Sequence, residues 1–399
     1  MKRVYCLLLL FLGNAFAAES QYSFVSNVTP PIPGGLDLPI PVFVPVLGTP
    51  VAMGSVGLED VVIGDFDCDG LADVSAPTYN GRVAIAYRSG DRFLASFVRT
   101  GTTFLRGAAT GDFNQDGCDD LAAVDSGAGY TVMLLGQSNG LASAVGSPRA
   151  TPNVPWGVDV ADFNADGLDD VVSADASTDL AYIFLASTGG SFSATSTFAL
   201  GRNSIHVKVG DFDHNGAPDI FSTNHNAATA TILLNNGAGS FIPAPSSPLS
   251  VVDRPCRPMT ADFNADGNMD IMLRSGERYQ MAFYAGNGVG GFLQGTILDS
   301  DLPFGCSQFA AADLDGNGKL DLAVPFGDRI RFYYQRANGT FLKQTSQPFS
   351  GITFKGLNAF DFDSNGTVEI AASARRSEEA LVLVLGPVLG PVLFASGFE

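Results

Sequence analysis

The stretch DFNADGLDD, residues 162–170, decides the fold because the chain repeats it. Similar nonapeptides begin at Asp65, Asp112, Asp162, Asp211, Asp262, Asp313 and Asp361. The steps between consecutive copies are 47, 50, 49, 51, 51 and 48 residues. A unit of roughly 50 residues that recurs in phase predicts a repeat architecture, in which each repeat is one supersecondary unit.

The nonapeptide carries the chemistry of a hard-cation site. Oxygen-bearing side chains occupy positions 1, 3, 5 and 9, and position 6 is glycine, which turns the chain cheaply. Ca²⁺ takes roughly 6–8 oxygen ligands, and three or four carboxylates without a cation would repel each other. The sequence therefore predicts up to seven structural Ca²⁺ ions. The candidate ligands are Asp65, Asp67, Asp69, Asp73, Asp112, Asn114, Asp116, Asp120, Asp162, Asn164, Asp166, Asp170, Asp211, Asp213, Asn215, Asp219, Asp262, Asn264, Asp266, Asp270, Asp313, Asp315, Asn317, Asp321, Asp361, Asp363, Asn365 and Glu369.

The residues around each loop predict strands. An EF-hand needs a glutamate at position 12 and a helix on both sides, but position 12 here is alanine, serine, leucine or valine. The flanks are short β-branched or apolar runs, such as VVIG at 61–64 and DVV at 170–172. The loop is therefore predicted to be a hairpin tip, and the first repeat to hold strands at about 58–64, 72–77, 82–88 and 93–99.

Together with a downstream glycine-rich hairpin that ends in Phe, the loop resembles the FG-GAP/VCBS repeat of integrin α-subunit head propellers, in a secreted bacterial form. That hairpin reads NNGAGSF at 235–241 and GNGVGGF at 286–292. The resemblance covers about residues 57–394. It implies an all-β, seven-bladed β-propeller with four-stranded blades, a calcium loop between the first two strands of each blade, and usually no catalysis. The Phe at loop position 2 is expected to pack between blades, with Leu314 in its place in copy six.

The ends of the chain predict export. Residues 1–17 are expected to be a signal peptide, because Lys2 and Arg3 precede an apolar run and a small-x-small cleavage site. A Pro-rich linker at 18–41, the propeller at 42–394 and a tail at 395–399 follow. The apolar run is too short to span a membrane. The outer strand of the last blade is expected to come from residues 42–47 or, alternatively, from residues 392–394.

Charge and cysteines limit the partners and the compartment. The net charge is −19, and 24 of the 41 acidic residues lie in the nonapeptides. Such acidity disfavours nucleic acid and anionic membranes. We expect a monomer that meets an extracellular protein or glycan. After export four cysteines remain, which allow three connectivities. Equivalent points of neighbouring blades are close in the propeller that the resemblance implies, which favours Cys68–Cys118 and Cys256–Cys306.

A candidate ligand face lies opposite the calcium loops, where each inner strand begins. Its positions carry a mixed, mostly basic or aromatic set in an acidic protein, and ordinary rim residues remain the alternative explanation. The candidates are Arg106, Trp156, His206, Arg257 and Lys355, beside Glu59 and Gln308. No nucleophile, phosphate-loop or zinc motif occurs. We expect a secreted binding or adhesion module rather than an enzyme, with two alternatives: a lectin that stacks a sugar on Trp156, and a lyase of uronate polymers.

Overall fold

The computed structural model describes residues 42–388 except residues 47, 55, 56 and 152. Within this part the regular secondary structure consists of β-strands alone, and the strands form seven sheets. The expected signal peptide, linker and tail, and the alternative closing strand at 392–394, lie outside the described residues.

The strands follow one another as β1 (Val42–Pro45), β2 (Val51–Ala52), β3 (Val62–Gly64), β4 (Asp73–Pro77), β5 (Arg82–Ser89), β6 (Arg92–Arg99), β7 (Leu105–Gly111), β8 (Asp120–Asp125), β9 (Tyr130–Leu135), β10 (Ala142–Ser143), β11 (Arg149–Ala150), β12 (Pro155–Ala161), β13 (Asp170–Asp175), β14 (Leu180–Ser187), β15 (Ser191–Ala199), β16 (Ser204–Gly210), β17 (Asp219–Asn224), β18 (Thr229–Asn235), β19 (Phe241–Pro243), β20 (Leu249–Ser250), β21 (Pro255–Ala261), β22 (Asp270–Ser275), β23 (Gln280–Tyr284), β24 (Thr296–Asp299), β25 (Ala310–Ala312), β26 (Asp321–Phe326), β27 (Arg329–Gln335), β28 (Phe341–Thr345), β29 (Ile352–Phe360), β30 (Glu369–Arg376) and β31 (Glu379–Val388).

Each sheet is one antiparallel blade whose first strand lies at the centre of the ring. Blade 1 is β3-β4-β5-β6 and blade 3 is β12-β13-β14-β15; blades 2 and 4 split the outer strand into two pieces. The central strand of blade 3, β12, contacts the central strands β7 and β16 of its two neighbours. The prediction of a seven-bladed, all-β propeller with four-stranded blades is confirmed.

The start of the described chain closes the last blade. Strand β1 pairs antiparallel with β31, with Phe43 opposite Pro387, and β2 continues the edge. Phe43 is buried and stacks on Phe332 of blade 6, with ring centroids 5.1 Å apart. The prediction that residues 42–47 supply the outer strand is therefore confirmed for Val42–Pro45.

The inner strand of blade 1 is shorter than predicted. Only Val62–Gly64 forms a ladder, and Leu58 makes an isolated bridge to Thr78. The reason lies across the ring, where the Gln308 side chain accepts the Val61 N–H at 2.7 Å and donates to the Val61 carbonyl at 3.0 Å. A side chain of blade 6 thus replaces the ladder partners of this segment.

The aromatic residue at loop position 2 fills the space between blades, as predicted. Phe66, Phe113 and Phe163 are fully buried, and each joins a cluster that includes residues of the following blade. Leu314 takes the same place in blade 6 and is also buried.

Two disulfides connect neighbouring blades. Cys68–Cys118 joins blades 1 and 2, and Cys256–Cys306 joins blades 5 and 6, with Cα–Cα distances of 5.1 and 5.9 Å. The predicted connectivity is confirmed. Disulfides persist in oxidising surroundings, so they indicate an extracellular type of setting. Among the residues described, no helix is long and apolar enough to cross a membrane.

Candidate functional site

The seven acidic loops share one backbone conformation. Position 6 is left-handed in all of them, with φ between 79° and 90°. Position 4 is also left-handed, and in six loops it is not glycine; those residues are Cys68, Gln115, Ala165, His214, Ala265 and Ser364. L-residues pay about 1–2 kcal/mol for this conformation. Sequence reasoning missed it, because the residue types at position 4 give no signal.

The position 1 and position 9 carboxylates organise each loop. In the third loop Asp162 accepts the N–H groups of Asp166 at 3.1 Å and of Gly167 at 2.8 Å. The buried Asp170 accepts from Phe163 at 3.0 Å and from Ala186 on β14 at 2.7 Å. Position 9 therefore locks the loop onto its own blade.

The aspartate and the asparagine at positions 3 and 5 are interchanged between loops. Loops two, three and five combine Asn at position 3 with Asp at position 5, and the Asn164 amide donates to Asp166 at 3.0 Å. Loops four, six and seven combine Asp with Asn, and the Asn215 amide donates instead to the Asn235 carbonyl at 2.8 Å. Six loops thus hold three carboxylates and one amide at the four positions, whereas loop one holds four carboxylates.

Four loops bring three carboxylates close enough to hold one metal ion. In each cluster one oxygen from every residue lies within 4.8 Å of the others. The clusters are Asp65, Asp67 and Asp73; Asp211, Asp213 and Asp219; Asp313, Asp315 and Asp321; and Asp361, Asp363 and Glu369. All donors are oxygens, which fits a hard cation. In the first cluster the buried Oδ1 of Asp67 has no hydrogen-bond partner among the described residues, so it is available as a ligand.

The position 9 carboxylates are costly to ionise without a cation. Burial raises the pKa of Asp73, Asp120 and Asp170 to about 8, although backbone N–H donors oppose the shift. In the fourth loop burial raises the pKa of Asp219 to about 7. Nearby loop aspartates add to the rise in each case.

On the opposite face, which we call the top face, the ring forms a funnel of about 640 Å³. All five candidate ligand residues named above line it, together with Glu59. They come from six different blades, at the start of the inner strands. The structure therefore brings together residues that are far apart in sequence.

A β-bulge at the start of the inner strands aims these side chains. The register between the first two strands of the blade shifts at Arg106, Trp156, Arg257 and Lys355. Each of these four residues has no partner in the ladder. A bulge re-aims a side chain and often lies beside a functional site. Gly157 follows one bulge, and a Cβ there would meet the His206 backbone at 2.6 Å, so glycine permits the close approach of blades 3 and 4.

Arg106 is held flat on Trp156. Its guanidinium carbon lies 4.0 Å from the Trp156 ring centroid and 4.9 Å from that of Phe104. Its Nε donates to Ser126 at 2.9 Å and its Nη1 to Glu59 at 3.3 Å. The expectation that Trp156 offers an open stacking face has to be refined, because Arg106 covers one face of the ring.

His206 and Arg257 form the floor of the funnel. Arg257 donates from Nη1 to Asp60 at 2.7 Å and from Nε to the Cys306 carbonyl at 2.8 Å. Burial and the Arg257 charge keep the pKa of His206 well below its usual range. Beneath them the central channel narrows to a cavity of about 110 Å³. The open space therefore becomes much narrower below His206 and Arg257.

The wall on the side of blades 5 and 6 is irregular. Blade 6 begins its inner strand only at Ala310, so residues 300–309 form a loop whose Phe304 stands 72% exposed on the funnel wall. The fully buried Arg274 donates to the carbonyls of Ser307 at 3.2 Å and Pro303 at 3.1 Å. With the Cys256–Cys306 disulfide, Arg274 holds this loop in place.

Sequence reasoning missed several lining residues. Tyr79 and Glu277 belong to hairpins between the second and third strands, where length and composition vary between repeats. Phe304 belongs to the segment 300–309 before the inner strand of blade 6, which is longer than the segments before the inner strands of blades 2 to 5. A signal for the bulges did exist, since Arg106-Gly107, Trp156-Gly157 and Lys355-Gly356 repeat the same pair type at equivalent places.

The sequence matches the FG-GAP-like repeat model at residues 112–173, 162–222, 211–273 and 262–324. Together these matches cover more than half of the 399 residues. The chain belongs to the FG-GAP-like repeat family. Each FG-GAP match begins at position 1 of one acidic loop and ends just past the next loop, so each match covers one period of the repeat together with the following loop. No curated protein sequence matches the chain.

Solved structures share the fold at low identity. A lectin from Agrocybe aegerita that recognises non-reducing terminal N-acetylglucosamine is 16% identical, with a TM-score of 0.53 over 74% of this chain and 80% of the lectin. Streptogramin B lyase is 12% identical, with a TM-score of 0.53 over 86% and 97%. A chain of the complex of BBS1N with ARL6DN is 11% identical, with a TM-score of 0.58 over 89% and 100%. These similarities show the fold alone.

Proposed function

We propose that this FG-GAP-like propeller is a secreted, calcium-stabilised binding or adhesion module that takes an extracellular ligand in the top-face funnel. One observation carries the proposal: bulges on separate blades turn Arg106, Trp156, Arg257 and Lys355 into one cavity. A cavity of about 640 Å³ falls within the range of roughly 300–1,000 Å³ that small-molecule sites occupy. We propose that the protein is a monomer that binds its ligand in this funnel, does not bind nucleic acid and does not insert into a membrane.

Calcium serves the fold rather than the ligand in this proposal. The four carboxylate clusters and the unpartnered Oδ1 of Asp67 support it, because oxygen donors in a tight loop suit Ca²⁺. The loops lie at the other end of the inner strands from the funnel. Metal analysis of the mature protein should find about seven Ca²⁺ ions, and a count of zero in calcium-containing buffer would refute this part.

A lectin is the second candidate. The observation that favours it is the fold similarity to a lectin that recognises a terminal sugar, combined with a funnel that narrows to a cavity of about 110 Å³ and suits the end of a chain. A glycan array separates the two candidates: selective binding of glycans supports the lectin, whereas a protein partner with no glycan binding supports protein adhesion.

We propose binding without catalysis, against the lyase alternative. A lyase needs a proton acceptor at the site. Burial and the neighbouring Glu59 raise the pKa of Tyr79, whose hydroxyl donates to that same carboxylate. The Nδ1 of the buried His206 accepts the backbone N–H of Arg257 at 3.5 Å. Incubation with uronate polymers should therefore give no ultraviolet absorbance from unsaturated products, and a steady rise in that absorbance would restore the lyase.

The funnel itself is tested by mutation. A Trp156→Ala variant should lose ligand binding, because Arg106 loses the ring that orients it. Tyr130→Ala is the matched control, since Tyr130 is an exposed aromatic residue on blade 2 outside the funnel. Unchanged binding by the folded Trp156→Ala protein would move the ligand site elsewhere.

A further inference from the structure

We propose that the funnel recognises a carboxylate, and that its ligand is the acidic terminal sugar of a glycan. Arg106 would bind the carboxylate and Lys355 would supply the long-range charge. This inference rests on the proposed function, because it takes the funnel as the ligand site.

The first step is the balance of charge in the funnel. The lining residues with a formal charge are Glu59, Arg106, Arg257, Glu277 and Lys355, which leaves one positive charge in excess within a chain of net charge −19. An acidic protein that concentrates a cationic surplus in its top-face funnel is organised to attract an anion there.

The second step is which charges are already used. Arg257 is bound to Asp60, which does not line the funnel, and Glu277 lies 3.3 Å from His225 and 3.4 Å from Arg254. Glu59 accepts from Arg106 and Tyr79. Arg257 and Glu277 are thus neutralised within the protein, and Arg106 shares only one terminal nitrogen with Glu59, so Lys355 and the remaining Arg106 donors are left for the ligand.

The third step is what remains free. Lys355 is exposed and has no hydrogen bond or ion pair within the part of the chain that the structure describes. Arg106 uses Nε and Nη1, whereas its Nη2 contacts no acceptor among those residues. Its plane is fixed by Trp156, so its free donors are already oriented. A planar guanidinium with fixed donors binds a carboxylate better than a flexible ammonium does.

The fourth step is the shape of the ligand. His206 and Arg257 line both the funnel and the smaller cavity of about 110 Å³ beneath it, so the space narrows below them and favours a ligand that presents one end. Phe304 stands 72% exposed on the wall and offers an aromatic surface to the apolar face of a sugar ring. The hydroxyls of Ser177 and Ser307 and the amide of Asn203 line the same space and suit sugar hydroxyls.

The test uses the whole mature protein and a glycan array with carboxylated and neutral non-reducing ends. The strongest carboxylated glycan and its methyl ester are then titrated while the fluorescence of Trp156, the only tryptophan, is recorded. The acid should change this fluorescence, because it binds the guanidinium that covers the ring. The ester should bind at least about tenfold more weakly, as expected for the loss of a charge-assisted hydrogen bond.

Variants assign the carboxylate to its partners. Arg106→Gln should weaken binding of the carboxylated glycan about 10- to 100-fold. Arg106→Lys should weaken it less, because lysine keeps the charge but loses the planar pair of guanidinium donors. Lys355→Gln should weaken it about two- to fivefold without affecting folding, since the side chain is exposed. Arg99→Gln, an exposed arginine on the outer strand of blade 1, is the control and should stay within about twofold of the parent.

The outcomes separate this inference from the proposed function. Equal binding of acid and ester with a Trp156 response to both would overturn the carboxylate inference and leave the funnel as the ligand site. Binding that neither changes Trp156 fluorescence nor responds to the Arg106 and Lys355 variants would overturn both. An acidic peptide that binds more tightly than every carboxylated glycan, with the same dependence on Lys355, would overturn the glycan class. No binding of any carboxylated glycan would overturn the inference outright.

Discussion

The acidic loops make a prediction in which the cost of one substitution depends on calcium. In the third loop the Asn164 amide donates to Asp166 at 3.0 Å. Asn164→Asp replaces this donor by a carboxylate and adds a fourth negative charge beside Asp162, Asp166 and Asp170. If the loop holds Ca²⁺, the added carboxylate destabilises the empty loop but strengthens calcium binding, so saturating Ca²⁺ should offset part of the loss.

The magnitude follows from the contact that is lost. Two unit charges about 4 Å apart repel by about 1 kcal/mol in water and about 4 kcal/mol near a protein surface. Asp166 is exposed, so about 1–2 kcal/mol is appropriate, and the lost hydrogen bond to a charged group adds about 1 kcal/mol. At roughly 2 °C per kcal/mol for a chain of this size, the melting temperature in chelator should fall by about 4–6 °C. A tenfold gain in calcium affinity returns about 1.4 kcal/mol in saturating Ca²⁺, so the fall in melting temperature there should shrink to about 1–3 °C.

The assay is thermal unfolding, followed by circular dichroism, in chelator and in millimolar Ca²⁺. Asp213→Asn is the mirror variant: it removes one of three carboxylates, while its Oδ1 can still accept the Asn215 N–H at 3.2 Å. It should raise the melting temperature in chelator and gain less from saturating Ca²⁺ than the parent protein does. Asn338→Asp, at an exposed hairpin outside the loops, is the control and should shift both melting temperatures equally. An equal fall of the melting temperature in both buffers for Asn164→Asp would refute calcium binding by this loop.

Three further predictions concern stability. In calcium-free buffer the melting temperature should fall as the pH rises from about 4 to about 8. Burial raises the pKa values of the position 9 carboxylates to about 6–8, so these groups stabilise the folded state only while they are protonated. Saturating Ca²⁺ should abolish the fall, and a pH profile that does not depend on calcium would contradict this. Phe43→Ala should cost about 3–5 kcal/mol in denaturant unfolding by uncovering the closing strand, whereas Leu94→Ala, on an outer strand and 60% exposed, should cost less than about 1 kcal/mol; equal losses would refute the closure argument. Gly316→Ala should cost about 1–2 kcal/mol and Ala265→Gly should gain up to about 1 kcal/mol in chelator, because both positions are left-handed; the reverse order would exclude strain at position 4.

The ring of blades could be predicted from the sequence because repetition multiplies a weak local signal. One acidic loop is compatible with several folds, but seven in phase fix the blade count, the position of each hairpin tip and the buried aromatic at position 2. The disulfides followed from the same symmetry, since Cys68 and Cys118 occupy loops of adjacent blades. What the symmetry could not supply was the left-handed position 4, where residues as different as Ala165 and His214 adopt one conformation.

The funnel was predictable in place but not in chemistry. The start of each inner strand could be counted from the repeat, which is why Arg106, Trp156 and Lys355 were found together. The stacking of Arg106 on Trp156 depends on side-chain direction, which a bulge of one residue reverses. An aromatic residue that counts as a sugar platform in the sequence thus becomes the support of a cation in the structure.

The parts of the chain that depart from the repeat are those that make the funnel asymmetric. A perfect sevenfold ring would present seven equivalent side chains around its axis and could not orient an asymmetric ligand. Here blade 6 shortens its inner strand to Ala310–Ala312, and the freed loop brings Phe304 to one side of the funnel. Arg274 and the Cys256–Cys306 disulfide fix that loop, while the cations stand on other blades. The repeat builds the scaffold, and the local departures from it make the funnel apolar on one side and cationic on another. The proposed ligand, the end of an acidic sugar chain, requires this polarity.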